Sequence, residues 1–196
     1  MFYETTKRLL DVACACVLLV FLSPVILLSM ILIFVKMGWP IFFVHQRSGW
    51  QKRPFNMFKF RTMHADKGQG LTDGQRITPF GLTLRRYSID ELPQLLNVLM
   101  GQMSMVGPRP LLREYDYFYS ELQDQRFLVK PGMTGLAQIS GRNNLTWDEK
   151  LQLDVEYVKK RSLWQDLKII TKTPVVVCRA QGFRPSGELK KFNSEK

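Results

Sequence analysis

The sequence is poor in the residues that build disulfide frameworks and histidine-based sites, with three cysteines and two histidines in 196 residues. Cys14 and Cys16 lie inside an apolar run and Cys178 stands alone, a pattern that excludes a disulfide framework and favours a reducing compartment. With only His45 and His64, we expect neither a His-rich metal site nor a His-centred triad. No serine lies in a nucleophile-elbow pattern, which excludes the common hydrolase arrangement.

Acidic residues are also scarce, since 17 Asp and Glu against 28 Lys and Arg give a net charge of +11. Such a surplus indicates a polyanionic partner, which could be nucleic acid, anionic lipid or a phosphorylated substrate. The first 36 residues contribute only +1, so the remaining 160 carry +10. No helix-turn-helix, zinc-finger or RNP-type signature is visible, so we expect no nucleic-acid partner. An anionic membrane leaflet beside the basic part would explain some of this charge.

One long uncharged run stands out, residues 12–35, with the sequence VACACVLLVFLSPVILLSMILIFV. It exceeds the roughly 20 residues that a helix needs to cross a bilayer, and it is too long for a signal-peptide core, so we expect it to be retained. Ser23 and Pro24 lie at its centre, where proline removes a backbone hydrogen bond and kinks a helix. Basic residues flank both ends, which favours both ends on the cytoplasmic side. The residues alone leave two alternatives open, a kinked span and a helix-break-helix that enters and leaves one leaflet.

The rest of the sequence predicts an α+β fold, with a small β-hairpin and several amphipathic or interfacial helices packed as one compact domain. Alternating patterns at 41–46 and 54–62 predict two strands, with Lys59 and Arg61 on one face of the second. We favour a solvated face as the explanation for Arg61. Four later stretches have helix-like patterns, and the last suits a membrane interface or a buried core equally. They are residues 92–100, 113–127, 147–161 and 163–180.

Asp90 and Glu91 stand next to each other in the sequence SIDE, between basic residues. One interpretation is a capping box, in which Ser88 caps a helix and Glu91 bonds back to it. The alternative is chemical, because Arg85 precedes the pair and Arg109 follows in a rigid Gly-Pro-Arg-Pro stretch. A carboxylate kept ionised by cations is a usable nucleophile toward phosphorus, and the pair would suit Mg²⁺ and a diphosphate.

Three further charged residues stand out, namely Arg109, Asp154 and Arg142. The prolines around Arg109 hold its guanidinium at low entropic cost, and the guanidinium matches phosphate oxygens, although a solvated surface turn is the alternative. Asp154 lies on an apolar helix stripe, which favours a structural salt bridge. Arg142 follows a glycine in a turn-rich loop that matches neither a Walker nor a Rossmann fingerprint.

Taken together, five stretches resemble the bacterial sugar transferase family, the monotopic phosphoglycosyl transferases that start polyprenol-linked glycan assembly. The stretches are KRLLDVACACVLLVFLSPVILL, HQRSGWQKRPFNMFKFRTM, LRRYSIDELPQLLNVLMGQMSMVGPRP, KPGMTGLAQISGR and LDVEYV. They span roughly residues 7–182 in the family's order and spacing. The size is similar to that of the minimal catalytic form of the family.

The resemblance implies transfer of a sugar 1-phosphate from a UDP-sugar to polyprenol phosphate, with release of UMP and a covalent aspartyl-phosphosugar intermediate. It implies a monotopic protein of the bacterial inner membrane, with a re-entrant helix over residues 1–36, broken at Ser23 and Pro24. A cytoplasmic catalytic domain over 37–185 would lie at the membrane surface among lipids, and we expect a disordered tail over 186–196. The sugar and the oligomeric state are not implied.

The resemblance also implies the site residues. Asp90 is the expected nucleophile, and Glu91 is expected to support the chemistry, with both acids as ligands of Mg²⁺. The expected substrate-binding and phosphate-binding residues are Lys59, Arg85, Arg109, Arg142 and Asp154. The two rival functions are a glycosyltransferase that releases UDP and a non-enzymatic membrane adaptor, which would not need Asp90.

Overall fold

The N-terminal apolar run forms two helices instead of one. In the computed structural model, which describes residues 2–66, 68, 70–183 and 192, helix α1 covers Phe2–Phe21 and helix α2 covers Ser23–Met37. The chain bends at the predicted position, because Pro24 lies in the first turn of α2 and has no N–H to continue the hydrogen bonds of α1. The two helix axes meet at 61°, and no single helix among the described residues has the length and hydropathy of a membrane span.

Much of the apolar surface of this helix pair is uncovered. Val20 and Phe21, at the end of α1, are each 77% exposed. The other exposed large apolar residues of the pair are Leu9, Leu10, Val17, Val25, Leu27, Leu28, Ile31, Phe34 and Val35. A helix pair that exposes this many large apolar side chains indicates a site of contact with a membrane or another protein.

The first half of α1 is attached to the rest of the protein by charged side chains. Lys7 Nζ donates to Asp166 Oδ2 at 2.9 Å. The Arg8 guanidinium donates to the carbonyl oxygens of Val98 and Leu99 at 2.6 and 2.9 Å. These carbonyls end a short helix, where a cation is favoured. The start of the α1–α2 pair is therefore fixed to the folded domain.

Strands β1, Phe42–Ser48, and β2, Pro54–Phe60, form an antiparallel hairpin, which confirms the two predicted strands. In its register, Lys59 pairs with Phe43 and Arg47 pairs with Phe55. Because side chains alternate along a strand, Arg47 and Lys59 project from the same face of the hairpin. This face carries both cations toward the site described below.

The interpretation of Arg61 as a solvated surface residue is wrong. Its guanidinium donates to the carbonyl oxygens of Met37, Gly38 and Trp39, at 2.6 Å for Gly38 and 3.1 Å for Trp39. Met37 is the last residue of α2 and Gly38 and Trp39 follow it, and the carbonyls at the end of a helix have no partner within it. Arg61 therefore joins the end of the α1–α2 pair to the end of β2.

After the β1–β2 hairpin the chain is mainly helical, with a second, smaller sheet. Strands β3, Ser104–Val106, and β4, Gly132–Thr134, pair in parallel, and the sequence predicts neither. The remaining helices are α3 Asp73–Arg76, α4 Pro79–Arg86, α5 Gln94–Leu99, α6 Glu121–Asp124, α7 Leu136–Ser140, α8 Trp147–Lys160 and α9 Leu163–Cys178. The predicted helices over 92–100, 147–161 and 163–180 correspond to α5, α8 and α9. The α+β class is confirmed.

The single helix predicted over 113–127 is wrong. The segment contains a 3₁₀ turn at Arg113–Tyr117, then α6, and then a second 3₁₀ turn. Ser120 accepts a hydrogen bond from the N–H of Gln123, and the Gln123 side chain accepts one from the N–H of Ser120. This capping box starts a new helix in the middle of the segment, so one continuous helix does not form.

The core lies between α1, β2, α5, β3, α8 and α9. Its fully buried members include Leu95, Val98, Met103 and Ile169. A second, smaller cluster lies under α2 and α4 around Ile33. The tail expected to be disordered, 186–196, lies outside the described residues except for Phe192. The Phe192 ring lies 5.4 Å from that of Tyr115 and 5.1 Å from that of Trp147, measured between ring centres.

Candidate active site

The acid pair lies on a tight turn between α4 and α5. A 3₁₀ turn covers Ile89–Glu91, and Ser88 before it has left-handed backbone angles, with φ of 54°. An N-cap residue needs an extended backbone, and Ser88 instead accepts a hydrogen bond from Arg142 Nη2 at 2.8 Å. The capping-box interpretation is therefore wrong, and the Glu91 carboxylate points elsewhere.

Glu91 is held between two cations from distant parts of the chain. Lys59 Nζ lies 2.7 Å from Glu91 Oε1, and Arg109 Nη2 lies 2.6 Å from the same oxygen. Arg109 Nη1 is also 3.5 Å from Oε2, so both carboxylate oxygens face the guanidinium. Burial alone would raise the pKa of Glu91, but Arg109 and Lys59 hold it well below its usual range. Glu91 therefore stays ionised at any physiological pH.

Asp90 is more buried than Glu91 but much less constrained. Its side chain is 8% exposed, and its nearest ion-pair partner is Lys59 Nζ, 4.0 Å from Oδ2. No hydrogen bond to the Asp90 carboxylate is found in the described part of the chain. Burial raises the pKa of Asp90 to about 6 despite the opposing charge of Lys59, and the negative charge of Glu91 adds to the rise. At pH 7 the group is about nine-tenths ionised, with lone pairs free for nucleophilic attack.

A cation-rich cavity of about 80 Å³ adjoins Glu91. Three of its lining residues are the cations Arg47, Lys59 and Arg109, and its single carboxylate is that of Glu91. The remaining lining residues are Met57, Gln94, Pro110, Leu111 and Gly132. A positive excess in a small cavity is suited to a phosphate or diphosphate.

The loop that carries Arg109 is fixed by the small parallel sheet. Gly107 N–H donates to the carbonyl of Thr134, and Gly132 N–H donates to the carbonyl of Pro108, each at 2.9 Å. A Cβ atom at Gly132 would lie 2.0 Å from the backbone nitrogen of Gly107, so only glycine allows this approach. The loop geometry thus depends on a contact between segments 25 residues apart.

Arg85 and Arg142 complete the basic surroundings of the acid pair. Arg85 Nε donates to Thr62 Oγ1 at 2.9 Å, and its charge lowers the pKa of Asp90. Besides its bond to Ser88, Arg142 has a buried Nη1 atom that finds no hydrogen-bond partner among the described residues. The structure therefore brings four of the five predicted binding residues to the acid pair.

Asp154 is the predicted site residue that the structure does not bring to the acid pair. Its carboxylate forms a buried ion pair with Arg126, in which Nε and Nη2 lie 3.1 and 2.9 Å from Oδ2. Arg126 Nη2 also donates to the backbone carbonyl of Arg109 at 2.5 Å. The geometry therefore favours the structural interpretation, in which Asp154 supports the Arg109 loop through Arg126.

Sequence reasoning did not single out Arg47. The signal that could have found it is the strand register, because alternation places it on the same hairpin face as Lys59. Asp90 and Glu91 are the carboxylates available to a divalent metal here, and no group of three or more metal-binding side chains is found among the described residues. Such a pair fits Mg²⁺, which commonly uses one or two carboxylates together with waters and substrate phosphates.

Comparison with known proteins points to the same family that the sequence stretches resemble. A family profile described as bacterial sugar transferase matches residues 2–180. The uncharacterized sugar transferase EpsL of Bacillus subtilis is 46% identical over 186 residues, which cover 93% of this chain and 92% of that protein. The undecaprenyl-phosphate galactose phosphotransferase of Salmonella typhimurium is 38% identical over 90% of this chain but only 41% of its own length. The UDP-glucose:undecaprenyl-phosphate glucose-1-phosphate transferase of Caulobacter vibrioides is 40% identical, over 87% of this chain and 68% of its own.

Proposed function

The chain belongs to the bacterial sugar transferase family and is a sugar-phosphate transferase, and on that premise we propose that it starts the assembly of a membrane-linked bacterial glycan. The proposed reaction moves a sugar 1-phosphate from a UDP-sugar to undecaprenyl phosphate and releases UMP. The names of the relatives from Salmonella typhimurium and Caulobacter vibrioides support this lipid acceptor, and the second name supports a UDP-sugar donor. The observation that carries the proposal is a buried Asp90 carboxylate 4.0 Å from Lys59, next to a Glu91 that lines a cation-rich cavity.

The proposed chemistry has two displacement steps at one phosphorus atom. In the first, a carboxylate oxygen of Asp90 forms a bond to the phosphorus that carries the sugar. The bond from this phosphorus to the bridging oxygen breaks, and UMP leaves with the electron pair. In the second step, a phosphate oxygen of the lipid acceptor forms a bond to the same phosphorus, and the aspartyl oxygen leaves as a carboxylate. No net proton transfer is needed in either step.

Glu91 and its two cations prepare the site for this chemistry. Glu91 holds Lys59 and Arg109 at one place, so their charges are in position before substrate arrives. Arg109 remains 45% exposed at its side chain, which leaves donor atoms accessible to a phosphate. We propose Mg²⁺ as a cofactor held by Asp90 and Glu91, and its chemistry would be neutralisation of the diphosphate charge.

We also propose that the α1–α2 pair is a re-entrant hairpin in the inner membrane, with the catalytic domain on the cytoplasmic face. Both ends of the pair are fixed to the same domain, by Lys7 on Asp166 and by Arg61 on the carbonyl of Gly38. The exposed apolar surface of the pair and its 61° bend support this arrangement. A lipid acceptor cannot leave the bilayer surface, so the site must be held there.

The experiment that tests the proposal uses the purified protein in lipid nanodiscs with undecaprenyl phosphate and a panel of UDP-sugars. We expect UMP release with at least one of them, together with a sugar diphospholipid product. Without acceptor, we expect rapid quenching and intact-protein mass spectrometry to detect an adduct of one sugar phosphate on Asp90. Asp90→Asn is the control and should form neither product nor adduct.

Two outcomes would replace the proposal with a rival function. Release of UDP instead of UMP would show a glycosyltransferase that moves the sugar alone. Lipid binding without any nucleotide release, unchanged in Asp90→Asn, would show a membrane adaptor. Normal turnover by Asp90→Asn would remove Asp90 from the mechanism.

A further inference from the structure

Arg47 is a partly buried arginine that forms no salt bridge within 4.0 Å to any described residue, although Glu91 and Glu114 lie near enough to act on its charge. Its Nε atom is buried and has no hydrogen-bond partner in the part of the chain that the structure describes. Its Nη2 atom lies 3.4 Å from His45 Nδ1, a weak contact with a neutral ring. Burial and the nearby charge of Arg109 lower the pKa of Arg47 to about 10, which still leaves it charged at neutral pH. A cation in such surroundings is costly unless an anion pairs with it.

The cavity beside Arg47 can accept that anion. Arg47, Lys59 and Arg109 all line it. Lys59 and Arg109 already share the carboxylate of Glu91, whereas Arg47 forms no salt bridge within 4.0 Å to any described residue. Arg47 is therefore the lining cation whose charge remains to be neutralised by a ligand.

The position of the cavity relative to the acid pair indicates which phosphate it would take. Glu91 lines the cavity, but Asp90 does not. In a phosphoryl transfer the attacking and leaving oxygens lie roughly in line, on opposite sides of the phosphorus. If Asp90 attacks from its side, the group on the cavity side is the leaving group.

We propose that Arg47 binds the uridine-bearing phosphate of the donor, which becomes the phosphate of UMP. When the bridging bond breaks, its electron pair stays on the bridging oxygen, and this phosphate gains one negative charge. The guanidinium fork of Arg47 stabilises the growing charge with hydrogen bonds that are stronger to an anion. This inference rests on the proposed function, because it assigns the leaving group of that reaction.

The test compares UMP with uridine, which lacks the phosphate. Arg47→Gln removes the charge and the fork, and Arg47→Lys keeps a charge without the fork. Arg113→Gln is the matched control, because Arg113 is exposed, contacts Gln46 and lies outside the cavity. Dissociation constants are measured by titration calorimetry on the full chain in detergent, and thermal melting checks that each variant is folded.

We expect Arg47→Gln to weaken UMP binding about 10- to 100-fold, as for loss of a hydrogen bond to a charged group. Uridine should bind equally to all variants, and Arg47→Lys should give an intermediate loss of UMP affinity. In turnover, the KM for the UDP-sugar should rise while the KM for undecaprenyl phosphate stays the same.

Unchanged UMP affinity in both folded Arg47 variants would overturn the inference. A rise in the KM for undecaprenyl phosphate with unchanged UMP affinity would also overturn it, and would assign Arg47 to the acceptor phosphate. Equal losses of UMP and uridine affinity would make Arg47 a structural residue. The binding comparison needs no turnover, so a wild-type protein that releases no UMP would contradict the proposed function without deciding the role of Arg47.

Discussion

Arg126 donates two hydrogen bonds to the buried carboxylate of Asp154, at 3.1 and 2.9 Å. The same guanidinium donates a third hydrogen bond to the backbone carbonyl of Arg109. Asp154 therefore acts on the acid pair indirectly. It fixes the guanidinium of Arg126, and Arg126 in turn fixes the loop that carries Arg109.

Replacing Asp154 with Asn should destabilise the protein. The substitution leaves the charge of Arg126 buried without a counter-ion, and loss of one partner of a buried pair costs about 3 kcal/mol. Thermal melting in detergent should show a clear drop in Tm, whereas Asp148→Asn, on an exposed position of the same helix, should not. An unchanged Tm with a selective rise in the KM for the donor would instead make Asp154 a substrate-binding residue.

Formation of the covalent adduct should depend on pH through Asp90. The protonated acid cannot attack phosphorus, and burial raises the pKa of Asp90 to about 6. Below that pH the rate of adduct formation should fall about tenfold per pH unit, and above pH 7 it should level off. Rapid-quench measurements from pH 5 to 8 test this. A plateau that extends down to pH 5 would contradict the raised pKa.

Asp90→Asn should make the protein more stable at alkaline pH. The pKa of Asp90 in the folded state, about 6, lies above the usual 3.8 of an aspartate, so the folded state binds this proton more tightly than the unfolded state does. The contribution of Asp90 to the free energy of unfolding is therefore complete below about pH 3.8, where the carboxyl is protonated in both states. It is lost as the pH rises through about 6. At pH 8 the variant should therefore gain about 1–3 kcal/mol in the free energy of unfolding. The gain in Tm over the wild type should vanish near pH 4, and equal Tm values at pH 8 would contradict the prediction.

Arg109→Lys should impair catalysis with little effect on folding. The two guanidinium nitrogens face both oxygens of Glu91, and a single ammonium group cannot reproduce this geometry. We expect kcat/KM to fall at least about tenfold, in proportion to loss of one charge-assisted hydrogen bond. Arg86→Lys, an exposed arginine at the end of α4, serves as the control. Equal kcat/KM values for the two variants would assign Arg109 to the turn alone.

The two ends of the α1–α2 pair should face the same side of the membrane. The test uses a variant without Cys14, Cys16 and Cys178 that carries Glu4→Cys or Lys160→Cys. A membrane-impermeant thiol reagent should label either cysteine only after the inner membrane is permeabilised. Labelling at position 4 from the periplasm would exclude the re-entrant arrangement. Pro24→Leu should straighten the break and shift part of the population toward a span, which would then expose position 4 to that label.

The local features of the protein could be predicted from the sequence because they depend on neighbouring residues. The break at Ser23 and Pro24 follows from a missing backbone N–H, and the hairpin strands follow from alternation. The acid pair and its basic neighbours lie within a short stretch. The resemblance of whole stretches to a family added the function, which no single motif could have given.

The tertiary structure decided which distant residues meet, and this assigned the site. No periodic pattern in the sequence links Arg61 to the end of α2, or Asp154 to Arg126. The interpretation of Arg61 therefore failed, and the partner of Asp154 stayed open. Arg47 looked like one basic residue among many. Only packing of the hairpin against the Arg109 loop placed it in the cavity, because burial and charge pairing are set by contacts between segments far apart in the chain.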